Sequence, residues 1–147
     1  MARLLLFAIS KMAIINSKDG SLSVISAIGG LMITKPSETE PPLDNDAVVP
    51  FPWVATAFWR FYPEDEGKLF RQSIELISPF GEIKGVAVQE FRKENNPIHS
   101  VTADAQFFPI GVPGEYTARL SLSERIGNDA WTDPMMIAVY PIEVMYH

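Results

Sequence analysis

Residues 53–62, Trp53-Val54-Ala55-Thr56-Ala57-Phe58-Trp59-Arg60-Phe61-Tyr62, alternate without a break. Successive side chains of an extended chain point to opposite sides. Trp53, Ala55, Ala57, Trp59 and Phe61 therefore share one face, and Val54, Thr56, Phe58, Arg60 and Tyr62 share the other. Aromatic side chains on both faces predict a strand in the middle of a sheet, covered on each side.

Working outward from this strand, the same period of two recurs along most of the chain. Tyr116, Ala118, Leu120 and Leu122 alternate with Thr117, Arg119, Ser121 and Ser123, the pattern of a half-buried strand. Leu69–Ser78, with Phe70, Ile74 and Leu76 inward, Ile83–Phe91, Val101–Phe108 and Met135–Val144 read as further strands. Turn signals separate them: Pro63–Gly67, Ser78-Pro79-Phe80-Gly81, Ile110–Gly114 and Gly127-Asn128-Asp129. At the start, Leu4–Ile15 is a nearly continuous apolar stretch that reads as a buried first strand. The turn Ser17-Lys18-Asp19-Gly20 would fold it into a hairpin with Leu22 and Val24. Gly29-Gly30 then marks a bulge or a close backbone approach, and Leu31–Thr34 resumes extended structure.

Eight or nine short strands, with turns about every ten residues and no helix longer than a turn, predict an all-β fold, an antiparallel β-sandwich or barrel. Gly114-Glu115-Tyr116 opens a late strand in the manner of the tyrosine corner of Greek-key sandwiches. That favours an immunoglobulin-like or related Greek-key sandwich over a closed barrel.

The chain of 147 residues fits a single domain over residues 1–147, large enough to bury a core without a disulfide or metal. Between Lys35 and Pro50 its character changes: Pro36, Pro41, Pro42 and Pro50 stand among Glu38, Glu40, Asp44 and Asp46. A long acidic proline-rich loop is expected at about 35–50. The apolar run after Arg3 is too short for a secretory signal or a membrane span. The chain has no cysteine, which excludes disulfides and thiolate chemistry and fits a cytoplasmic location. Its net charge of −6, with no basic stripe, argues against nucleic acid and against an anionic membrane as partners.

Catalysis and cofactors find little to work with. His99 and His147 are the only histidines, and neither a nucleophile elbow nor a phosphate-binding glycine loop occurs. Glu64, Asp65 and Glu66 form one acidic group, and Glu124, Asp129 and Asp133 another. Neither has the alternate spacing of a calcium loop. Hydrolysis would need two of these carboxylates to converge about 5–10 Å apart in a cleft. The expectation is a non-enzyme without catalytic residues, metal or cofactor.

The aromatic residues are more informative. Trp131 lies in Asn128-Asp129-Ala130-Trp131-Thr132-Asp133-Pro134, a polar loop where an indole could stack on a sugar or anchor a protein, with Asp129 and Asp133 beside it. The plainer reading folds Trp131 back over the end of the sandwich. Trp53, Trp59 and Tyr62 could form a second platform, against a core reading that their alternation also supports.

Several short motifs are similar to a widespread bacterial and phage family known as a domain of unknown function. They are Leu4-Leu5-Leu6-Phe7-Ala8, then Asp19-Gly20-Ser21-Leu22-Ser23-Val24-Ile25 and Gly29-Gly30, then Ile74–Ile77 before Gly81, and Pro113-Gly114-Glu115-Tyr116. Ser21 stands where the family has lysine. The resemblance implies a β-sandwich and no assigned activity. Together these readings lead to a non-catalytic interaction or assembly module, bound to a protein partner or to itself. The alternative is a carbohydrate or small-ligand module using the loop aromatics.

Overall fold

The structure, a computed structural model, describes residues 1–16, 18–19, 21–34 and 43–147. Nine strands are built: β1 Arg3–Ile15, β2 Leu22–Ala27, β3 Gly30–Ile33, β4 Val48–Arg60, β5 Leu69–Ile77, β6 Ile83–Arg92, β7 Ile98–Pro109, β8 Gly114–Glu124 and β9 Met135–Tyr146. One sheet has the order β2-β1-β4-β7, the other β3-β9-β8-β5-β6. The sole helical segment among the described residues is the 3-10 turn Pro63–Asp65. No described helix is long and apolar enough to cross a membrane.

The alternation at 53–62 builds the core. Trp53, Ala55, Ala57 and Trp59 are buried on the inner face of β4, which lies between β1 and β7, and Phe61 is buried just past its end. From the opposite sheet Phe70, Ile74 and Leu76 of β5 and Tyr116, Ala118, Leu120 and Leu122 of β8 meet them. Aromatic rings pack edge to face or offset, as with Trp53 on Phe108 at 5.8 Å and Trp59 on Phe91 at 5.6 Å.

The connectivity is a Greek key. The chain crosses from β4 to β5 and again from β7 to β8, while β4 neighbours β7 and β5 neighbours β8. The two crossings interlock the sheets in the immunoglobulin-like manner. The Tyr116 hydroxyl donates to the carbonyl of Val112 at 2.8 Å, four residues upstream, which is the tyrosine-corner bond. At Gly30 a Cβ would lie 2.9 Å from the Glu143 carbonyl, so the paired glycines mark a close approach where β3 runs parallel to β9.

β1 departs from expectation. It is a strand, but not a buried one: Leu5, Leu6, Met12, Ile14 and Ile15 are exposed. Its first half pairs with β4, from Arg3 opposite Arg60 to Ser10 opposite Val54, and its second half pairs with β2. Ser10 alone belongs to both ladders, so the β1–β2 hairpin leaves the sheet there. Asn96, next to the Arg60 end of β4, donates from Nδ2 to the Asp19 carbonyl at 3.4 Å. Val54 and Arg60 are six residues apart, roughly 20 Å along a strand. The hairpin tip can meet Asn96 only by doubling back across the outer face of β4. That cover explains why Val54 (5% exposed) and Thr56 (0%), which point away from the core, are buried.

The expected loop at about 35–50 is shorter than its composition implied. Residues 35–42, like Ser17 and Gly20, lie outside the described residues. Leu43–Ala47 is a connection, and Val48, Val49 and Pro50 already belong to β4. Proline is tolerated so near the strand's start, where a ladder donor is least missed.

Candidate binding cleft

β6 and β7 are the last strands of their respective sheets, and they lie side by side along one open flank of the sandwich. At one end this flank is closed. Trp59 Nε1 donates to Gln72 Oε1 at 2.9 Å, Gln72 Nε2 to Gln89 Oε1 at 3.1 Å, and Gln89 Nε2 to the Thr102 carbonyl at 3.2 Å. This relay runs through β4, β5, β6 and β7 in turn. Phe91 stacks on His99 just beyond it, at 6.0 Å.

At the other end the flank stands open as a cleft of about 430 Å³. Its floor is apolar, made of Trp53, Ile74 and Leu76. Along its walls the inward positions of β6 and β7 carry Gly85, Ala87, Ala103 and Ala105, so no large side chain projects inward from either strand there to fill the gap. Val48 and Phe107, each 55% exposed, form an apolar shoulder at the mouth. A cleft of this size with an apolar floor and a few polar groups at its mouth has the form of a binding site.

Lys84 and Asp104 mark the rim. The Lys84 ammonium sits 2.9 Å from Glu82 Oε2 and 3.2 Å from Asp46 Oδ1, and these two carboxylates, Glu82 foremost, raise its pKa above the ordinary lysine value. Its side chain is only 12% exposed, so the aliphatic stem lies along the wall. Two carboxylates on one ammonium, with Asp104 exposed on the neighbouring strand, leave the rim negative.

Of the six residues singled out in the sequence, only Trp53 lines this cleft. It does so from the core, with its indole N–H donated to the Phe107 carbonyl at 2.9 Å. Trp59 is wholly buried, which corrects its reading as part of an exposed platform: its alternation served the core. Tyr62 is half-buried beyond the end of β4, near the guanidinium groups of Arg3 and Arg60 at 5.3 and 5.6 Å.

Trp131 folds back onto the sandwich. An isolated bridge joins it to Arg125, and Thr132 bonds Glu124 through both backbone and hydroxyl. This sets the indole against the Arg71 guanidinium, 3.9 Å from the ring centroid, so one face of the ring is taken. Asp129, at φ +65°, turns the loop and pairs with Arg125 at 3.3 Å; Asp133 is exposed.

The acidic group at 64–66 is likewise engaged locally. Asp65 is buried and accepts from the backbone N–H of Tyr62 at 2.8 Å, while Glu66 meets Lys93. No three histidine or acidic side chains among the described residues are grouped to hold a metal.

The sequence held one signal for the cleft: small residues at successive inward positions, Gly85 and Ala87 on β6, Ala103 and Ala105 on β7. Inward positions of a packed strand are ordinarily filled by large side chains. Comparison of the chain with protein-family models, with curated proteins and with solved structures gives no match.

Proposed function

We propose that this domain is a non-catalytic protein-interaction module that receives its partner in the cleft between β6 and β7. The observation that supports this reading is the unfilled apolar cleft itself, bordered by two terminal strands and walled by small side chains. Exposed apolar surface of this kind marks a binding site in a soluble domain. The lack of cysteine fits a cytoplasmic setting, and the motif order fits the bacterial and phage family it resembles. Both belong to the proposal.

The test is a displayed library of random linear peptides, selected on the wild-type domain and on Gly85→Leu. An added Cβ at Gly85 meets no atom within 4 Å, so leucine there fills the cleft without displacing backbone. Peptides that bind the wild type and lose at least tenfold in affinity for the variant are the expected result. A library that yields only binders indifferent to the substitution would overturn the reading.

A further inference from the structure

We infer that the occupant of the cleft is an extended peptide that adds as a strand to the edge of β7, setting one large apolar side chain over Trp53 next to a lysine or arginine held by the acidic rim. This rests on the binding reading above and names the chemistry of the partner.

The backbone decides between a peptide and a small apolar molecule. Because Gln89 bonds the Thr102 carbonyl from the β6 side, Thr102 presents its backbone groups away from β4. In an antiparallel strand, N–H and C=O of alternate residues point the same way, so Asp104 and Gln106 present theirs in that direction too. Both residues line the cleft; the β4–β7 ladder bonds fall on the residues alternating with them, and among the described residues no turn or loop hydrogen bond reaches their backbone groups. A bare strand edge is a template for another strand. A small apolar ligand would strip water from these groups and leave them unpaired, which is costly. An extended peptide pairs with them and presents alternate side chains to the apolar floor.

The charge at the rim selects what flanks the anchor. Asp46 and Glu82 share Lys84, while Asp104 stands exposed on the strand edge with no ion-pair partner among the described residues. A basic residue beside the apolar anchor completes the set, and an acidic one would be repelled.

The test uses synthetic copies of the library peptides that sense Gly85→Leu, with binding followed by calorimetry. Each is compared with a copy N-methylated next to its apolar anchor and with a copy carrying glutamate for its basic residue. The expected result is a loss of about tenfold for N-methylation, the worth of roughly one strand hydrogen bond. The glutamate copy should lose about as much at low salt, and Asp104→Asn should narrow the difference between basic and acidic copies. Peptides that sense Gly85→Leu yet ignore both changes would overturn the strand-addition inference while leaving the cleft as a binding site. A clean dimerisation of the domain abolished by Gly85→Leu would overturn it in favour of a second copy.

Discussion

Replacing Gln72 with leucine tests the polar relay that closes one end of the β6–β7 flank. Gln72 is fully buried and accepts the indole N–H of Trp59, which is itself fully buried. Leucine keeps the volume but leaves that N–H without a partner, at a cost of about 1–3 kcal/mol. Gln89 loses a donor as well, but it is only part-buried and can turn to water. The added apolar burial returns about 1 kcal/mol, so the net loss is about 0–2 kcal/mol. In urea, with a slope of about 2 kcal/mol per molar for a domain of this size, the midpoint falls by up to about 1 M. A double-mutant cycle with Trp59→Phe separates the hydrogen bond from simple packing. Once the indole N–H is gone, Gln72→Leu should cost about 1 kcal/mol less. Strictly additive costs in the cycle would refute the claim that the Gln72 amide holds the indole.

Two further outcomes follow from other parts of the fold. Gly111 lies against the Leu43–Ala47 connection, where a Cβ would fall 2.2 Å from the Asp44 carbonyl oxygen. Gly111→Ala should therefore destabilise by at least about 2 kcal/mol, read as a drop in melting temperature of about 4–8 °C; a melting temperature equal to wild type would contradict this packing. Burial pushes the hydroxyls of Tyr116, Tyr140 and Tyr146 above the ordinary tyrosine pKa of 10.0. A folded-state pKa raised in this way stabilises the domain below about pH 10 and withdraws that stability as pH climbs through the raised values. The tyrosinate absorbance of fully buried Tyr116 should thus rise only together with loss of the near-ultraviolet circular dichroism signal, and titration of every tyrosine while the fold persists would contradict its burial.

The architecture was legible in the sequence because strand periodicity is a local property. Ten residues from Trp53 to Tyr62 carry enough alternation to place a central strand, and every residue they put inward is buried. Tyr116 was legible for the same reason: its partner carbonyl at Val112 is four residues away, so sequence proximity stands for spatial proximity. Where the sequence left two readings open, as for Trp59 and Trp131, the plainer one held, and what decided it was not local. Trp59 and Trp131 have the composition of binding residues, but what meets them, Gln72 in the one case and Arg71 in the other, comes from strands that sequence spacing does not relate to them.

By itself the sequence determined the all-β class, the strand boundaries to within a few residues, and which face of each central strand turns inward, since alternation and turn chemistry depend only on neighbours along the chain. Only the tertiary structure decided that β1 bends at Ser10 and folds its hairpin over Thr56, and that β6 and β7 end side by side. The cleft exists because Gly85 and Ala87 face Ala103 and Ala105 across two sheets. An absence of side-chain volume becomes a site only when a Greek-key crossing brings two such stretches opposite one another.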